Sequence, residues 1–323
     1  MNRWVGMMWR PDRSVHGPDR ATAGDVEPLN RLFTEAFTDR YARDGLSGVR
    51  VPPLTPAVWR YAIEDAAEGA MLWRDSDGQL AAFNMVHQSG TEGWMGPIAV
   101  RPDRQGSGVG RAIVQSGIDL LRSRGATTIG LETMPRTTDN IGFYGTLGFV
   151  PRHLTITLVR DAVRAVARDA SRLSTGDIAG GIAECAELTA RVAPGIDFSR
   201  ELLLTHEMGL GDTTMVRRGG RLVGFALWQS TPLAAGRPRD EQRVLKLVAT
   251  DAVAFERLVD GLQADAIASR LRRVALRCQT ALGEAYTHLT GRGFRVHWTD
   301  LRMTLPEAPE PRVNGMLMSN WEI

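Results

Sequence analysis

The segment that most restricts the fold of this chain is residues 98–112, which read I-A-V-R-P-D-R-Q-G-S-G-V-G-R-A. An apolar run leads into a glycine-rich turn, and the turn opens a helix predicted over 108–124. Such a turn aims several backbone N–H groups at one point, at the positive end of the helix dipole. Gly106, Gly108 and Gly110 lack a Cβ, so they can take the required dihedrals and let an anion approach the backbone. Arg104 and Arg111 flank the turn with positive charge. A pyrophosphate is the ligand that suits this arrangement. A tight turn with solvated arginines is the alternative on these residues alone. The string G-S-G-V-G is not G-x-G-x-x-G, and no G-K-[ST] follows, so neither a dinucleotide fold nor an NTPase phosphate loop is expected.

The surrounding pattern alternates helix and strand. Val26, Leu29, Leu32, Phe33 and Phe37 recur at helical spacing from a unit expected to begin near Arg20, and a second helix is predicted over 56–68. A hairpin follows, 71–74 and 80–86 around the turn D-S-D-G, then a strand over 94–100. Beyond the glycine-rich turn come a strand over 129–133, a short helix over 139–147 and a strand over 154–159. Residues 161–172 are charged and alanine-rich and are expected to form a helical connector. The pattern then starts again. R-L-S-T-G-D-I at 172–178 resembles R-A-T-A-G-D-V at 20–26, G-R-L-V-G-F at 220–225 resembles G-Q-L-A-A-F at 78–83, and Gly293-Phe294 resembles Gly148-Phe149. Three matches in one order indicate an internal duplication. A length of 323 residues accommodates two domains of about 150 each. The predicted organisation is therefore a domain over 14–160, a connector over 161–172 and a second domain over 173–323, with a last strand over 313–323.

Composition narrows the partners. The net charge is +2, too near neutral to argue for nucleic acid or an anionic membrane. Lys246 is the only lysine. Cys185 and Cys278 have no metal-type neighbours and are read as buried small hydrophobes in a reducing compartment. His16, His87, His153, His206, His288 and His297 include no pair at ligand spacing, so no metal is expected. No run approaches 18 apolar residues, and only six uncharged residues separate Arg3 from Arg10, too few for a signal segment. A cytoplasmic protein, monomeric or homodimeric, is the expectation.

The string Q-G-S-G-V-G at 105–110 resembles the Q/R-x-x-G-x-G/A acyl-CoA signature of the GNAT superfamily, and F-Y-G-T-L-G-F at 143–149 resembles its second signature. The resemblance covers about 140 residues in order. It implies an α+β fold, here two tandem GNAT-like domains, each a mixed, mostly antiparallel sheet flanked by helices. It also implies acetyl-CoA as cosubstrate. Backbone groups of Ile98, Ala99 and Val100 would bind the pantetheine arm as an added strand. Amides of Gly106, Ser107, Gly108, Val109, Gly110 and Arg111 would hold the pyrophosphate, with Gln105 opening the signature and serving the loop or the ligand. The implied reaction is direct attack on the thioester by an amine of a small molecule or an amino terminus.

Tyr144 matches the family tyrosine beside the CoA sulfur, which implies a general acid; a packing aromatic is the alternative. Glu132 is the only charge in the strand 129–133 and stands 12 residues before Tyr144. In GNAT branches that acetylate ribosomal-protein amino termini, a glutamate at this spacing is the base; an orienting carboxylate is the alternative, and Glu92 is the rival base. Many members carry asparagine seven residues before the tyrosine. Here that position is Thr137, and Asn140 stands one turn later. Trp59, Tyr61 and Trp73 are either pocket or core residues.

The repeated half has T-D-A-V-A-F-E at 250–256 where the first has its glycines, and Leu289 where the first has Tyr144. It is expected to be a degenerate lobe that completes the acceptor cleft. The tandem layout is similar to that of mycothiol synthases, whose working half is the C-terminal one; the intact loop here is N-terminal, which argues against that activity. The alternative to an enzyme is a non-catalytic acyl-CoA-binding regulator.

Overall fold

The computed structural model describes residues 14–167 and 169–322. Residues 3–10, read above for a signal segment, lie outside them. The first half runs β1 (Val15–Arg20), α1 (Val26–Arg43), α2 (Pro56–Ala66), β2 (Ala70–Asp75), β3 (Leu80–Ser89), β4 (Glu92–Val100), α3 (Val109–Ser123), β5 (Thr128–Thr133), α4 (Thr138–Gly145) and β6 (Val150–Asp161). The second repeats this order: β7 (Ala170–Arg172), α5 (Ile178–Val192), α6 (Ser199–Glu207), β8 (Gly211–Arg218), β9 (Arg221–Gln229), β10 (Glu241–Ala249), α7 (Ala252–Ala268), β11 (Arg273–Gln279), α8 (Gly283–Gly291) and β12 (Arg295–Thr304). One further strand, β13 (Met316–Ser319), ends the chain. The fold is mixed α/β, with mostly antiparallel sheet flanked by helices.

Local chemistry fixes several of these boundaries. Pro56 occupies the first turn of α2, where a missing N–H costs nothing. Asp75 makes the β2–β3 turn by accepting from the amides of Asp77 at 3.1 Å and Gln79 at 2.9 Å. In α3, Ile113, Val114, Ile118 and Leu121 share one face and are buried against Val86 and Met95. Each such side chain contributes about 1.5–3 kcal/mol on burial, which pins the start of the helix and the turn before it.

All strands form one sheet in the order β1-β2-β3-β4-β5-β12-β6-β11-β10-β9-β8-β7, with β13 added on β10. Among the described residues, only β4–β5 and β10–β11 are parallel neighbours. The two halves exchange their last strands. β12 of the second half lies beside β5 of the first, and β6 of the first lies beside β11 of the second. This exchange brings side chains of the second half over the first half's sheet.

Three expectations need correction. A strand, β1, precedes Arg20 and pairs with β2. The connector over 161–172 is not helical: β6 pairs with β11 as far as Asp161, Ala162 N–H donates to Arg272 at 2.7 Å, and β7 follows. Ladder bonds there outweigh the helix propensity of the alanines. The last strand is confined to Met316–Ser319. Cys185 and Cys278 are both buried and unpaired. Among the described residues, no helix is long and apolar enough to cross a membrane, and no group of three or more His, Cys, Asp and Glu side chains could hold a metal.

Candidate active site

The parallel ladder between β4 and β5 ends at Met95 and Leu131. Beyond it, Ile98, Ala99 and Val100 pair with β3 on one side and have no ladder partner on the other. The chain then turns through Gly106 (φ 72°) and Gly108 (φ 89°) into α3. Both dihedrals lie in the left-handed region that favours glycine. The N–H groups of Gly106 to Arg111 make no hydrogen bond among the described residues. The loop thus offers unsatisfied donors at a helix N-terminus, which suits an anion. Gln105 serves the loop itself: its side-chain amide donates to the Val100 carbonyl at 2.9 Å.

A cavity of about 540 Å³ lies along this edge, lined by Ile98, Ala99, Val100, the glycines, Asn140, Phe143 and Tyr144, and on its far side by Phe37, Arg40 and Arg43 of α1. Arg111 faces it while its guanidinium reaches Thr146 Oγ1 at 3.1 Å. Arg104 turns elsewhere, to Asp75 at 3.3 Å.

A second cavity, of about 360 Å³, adjoins the first and shares Phe37, Arg40, Ile98, Asn140 and Tyr144 with it. Its remaining wall combines Phe33, Tyr41 and Glu132 of the first half with Leu233, Trp298, Asp300, Trp321 and Glu322 of the second. Trp321 is buried, with the Arg302 guanidinium carbon 3.9 Å from its ring centroid. A Cβ on Gly130 would stand 2.2 Å from the Trp321 ring, so the indole's place depends on glycine there.

Tyr144 stands where the cavities meet. Its hydroxyl makes no hydrogen bond among the described residues, and burial pushes its pKa up to about 12. Asn140 Nδ2 is 3.4 Å from Thr133 Oγ1. Thr137 is buried and donates to Asp44 at 2.6 Å, so it faces neither cavity.

Glu132 is held on both oxygens. Oε1 accepts from Thr155 at 2.5 Å and Arg302 at 2.9 Å, and Oε2 from Arg277 at 2.5 Å. Burial alone would push its pKa up, but Arg277, Arg302 and Thr155 outweigh that and hold it below the ordinary carboxylate value. Glu92 is buried and accepts from the Ser319 hydroxyl at 2.5 Å; it lines neither cavity. Trp59, Tyr61 and Trp73 are core residues and line neither cavity.

The structure therefore gathers Ile98 to Val100, the loop from Gln105 to Arg111, Asn140, Tyr144 and Glu132 around two joined cavities. Sequence reasoning did not find the α1 residues Phe37, Arg40 and Tyr41, whose spacing signals only a helix. Nor did it find Trp298, Asp300, Trp321 and Glu322, which reach the site only through the strand exchange and the tail, or Arg277, which pairs with Glu132 and Asp300 behind the cavity wall.

The equivalent features are closed in the second half. β13 pairs with β10 through Lys246, Leu247, Val248 and Ala249, and the Asp251 carboxylate caps α7, accepting from Ala254 N–H at 2.9 Å. Leu289 is fully buried in the core.

Residues 29–149 match the acetyltransferase (GNAT) family. Over the whole chain, the fold is that of a tandem GNAT protein from the clavulanic acid biosynthesis pathway, with a TM-score of 0.62 at 16% identity, covering 92% of this chain and 100% of that one. The first half thus matches the GNAT family, and the chain shares the fold of a tandem GNAT protein. Shorter stretches are similar to curated relatives. One is the mycothiol acetyltransferase of Clavibacter sepedonicus, 33% identical over 79 residues, or 24% of this chain and 26% of the relative. Another is the [ribosomal protein bS18]-alanine N-acetyltransferase of Escherichia coli (strain K12), 38% identical over 73 residues, or 23% of this chain and 49% of the relative. The match thus spans half or less of either relative's length.

Proposed function

We propose that the chain transfers an acetyl group from acetyl-CoA to a primary amine, of a small molecule or of an amino terminus, by direct attack. One observation carries this reading: an amide-lined turn with unsatisfied N–H groups opens into a cavity that shares Tyr144 with a second cavity. The free edge of β4 would take the pantetheine arm, and the amides from Gly106 to Arg111 the pyrophosphate. Both ends of the reaction then meet beside Tyr144, where binding supplies effective molarity. With its pKa near 12, Tyr144 is protonated at neutral pH and able to give a proton to the departing thiolate. Of the two roles considered for Glu132, its full set of partners supports the orienting one: it lines the second cavity and is itself held from behind by Arg277 and Arg302.

The test is release of free CoA thiol from acetyl-CoA in the presence of a panel of amines, alongside calorimetry with CoA. Binding of CoA without thiol release from any amine would favour a regulator over an enzyme. Failure to bind CoA would remove the reading altogether.

A further inference from the structure

The second cavity has an excess of carboxylates. Arg277 lies within 2.5 Å of Glu132, 3.0 Å of Asp300 and 2.5 Å of Glu322, and Arg302 lies within 2.8 Å of both Glu132 and Glu310. Four carboxylates thus share two guanidiniums. Arg40, which also lines the cavity, is committed to Asp44 at 2.5 Å and Asp139 at 3.1 Å. The buried Arg243 guanidinium is the next cation near Glu322 and Arg277, and it donates to the Thr231 carbonyl at 3.1 Å. The partly buried surplus of negative charge that remains calls for a cation or a proton.

The three cavity carboxylates differ in what is left open. Glu132 is engaged on both oxygens, and the Glu322 side chain is 46% exposed. Asp300 is 3% exposed, and its Oδ1 accepts from the Trp298 indole at 3.1 Å. Its Oδ2 is 3.0 Å from Arg277 yet accepts no hydrogen bond. Asp300 belongs to β12, and it reaches this cavity only because β12 has been exchanged into place beside β5.

We propose that the acceptor binds in the second cavity as an ammonium and gives up its proton to Asp300, a base supplied by the otherwise degenerate half. This rests on the acyl-transfer reading above. The ammonium transfers one proton to the Asp300 carboxylate. The free amine attacks the thioester carbonyl, the C–N bond forms and the C–S bond breaks. Tyr144 gives its proton to the sulfur and regains one from the acylated nitrogen. Asp300 returns its proton to solvent. The apolar wall of Phe33, Phe37, Tyr41, Trp298 and Trp321 favours an acceptor whose amine is carried on an aromatic or alkyl body.

The charge surroundings agree with this role. Burial raises the affinity of Asp300 for a proton, Glu322 and Glu132 raise it further, and Arg277 and the Trp298 indole oppose them; the pKa is pushed up to about 7. Tyr41 of α1 faces the same groups, and its own pKa is raised by burial and by Glu322, Asp300 and Asp44. A base poised near neutrality is matched to its task.

The experiment uses the full chain with butylamine, benzylamine, 2-phenylethylamine and 1,4-diaminobutane, measuring amine binding by calorimetry and thiol release from acetyl-CoA between pH 5.5 and 9. Asp300→Asn should weaken ammonium binding at least tenfold, lower the turnover rate by roughly 10²–10⁴-fold and abolish the acid limb near pH 7. Trp298→Phe, at a partly exposed position, removes the indole donor to Asp300 while keeping an aromatic ring in the wall, and should move that limb to higher pH. Thiol release with an unchanged rate and limb in Asp300→Asn would overturn the proposal while leaving acyl transfer standing. No Asp300-dependent binding of any of the four amines would overturn it too. Absence of thiol release from the wild-type chain would overturn both readings. If Asp300→Asn does not fold, an unmoved limb in Trp298→Phe overturns the proposal.

Discussion

Leu247 of β10 faces Met318 of β13 across an antiparallel ladder, whereas Ile98, at the same place in β4, has a ladder partner only on its β3 side. Both strands have nine residues, so positions 246–249 correspond to 97–100. The tail of the chain fills, in the second half, the edge that stays open in the first. The Asp251 carboxylate likewise occupies the helix end that is free in α3. Hydrogen bonds from Arg218 first, and from the Ala254 amide, hold its pKa down at about 2, so it stays charged and repels a phosphate. Calorimetry with CoA should therefore give one equivalent per chain. Two equivalent sites would mean that β13 leaves its ladder.

Gly108→Asp should abolish CoA binding in a folded protein. The residue sits at φ 89° and caps α3, so a side chain there strains the turn and aims a carboxylate at the amides. Losing even one or two charge-assisted bonds weakens binding by on the order of 10²-fold. Circular dichroism would confirm the fold. Wild-type affinity in a folded variant would exclude the loop as the phosphate site.

Glu132→Gln should cost stability as well as activity. The carboxylate is buried between two guanidiniums, and removing one partner of a buried ion pair costs roughly 3–5 kcal/mol. Asp300, Glu322 and Glu310 still accompany the guanidiniums, which points to the lower end. The pKa of Glu132 is lowered in the folded state, so its stabilisation is full above the ordinary value of 4.5 and is lost as pH falls through the folded value. Urea unfolding between pH 3 and 7 should show a steeper acid loss in the wild type than in the variant. Equal slopes would show that Glu132 is not held ionised.

The first half was largely legible because its chemistry is local. A glycine turn between a strand and a helix announces itself within ten residues, and Tyr144 lies inside a contiguous motif. Asp300, Arg277 and Trp321 were not legible, because nothing local tells β12 to pair with β5 or the tail to pair with β10. Those choices are made by long-range ladder and core contacts. The connector misread has the same origin: its alanines favour helix, but the pairing partner that extends β6 to Asp161 is more than a hundred residues away.

Tyr144→Phe isolates the acid step. The ring packs near Phe143 and Phe149, with centroids 5.2 Å and 6.2 Å away, and phenylalanine preserves those contacts. The hydroxyl makes no hydrogen bond among the described residues, so its removal leaves no buried partner unsatisfied, and thermal stability should stay within about 0.5 kcal/mol of wild type. If the hydroxyl protonates the departing thiolate, turnover should fall roughly 10–10³-fold with little change in the KM for acetyl-CoA, because the interaction is made only as the C–S bond breaks. The defect should shrink with an acyl donor whose thiol is more acidic and needs less help to leave. A variant with wild-type turnover would reduce Tyr144 to a packing residue. A variant that raises KM at constant turnover would instead place its hydroxyl on the bound cosubstrate rather than on the reaction.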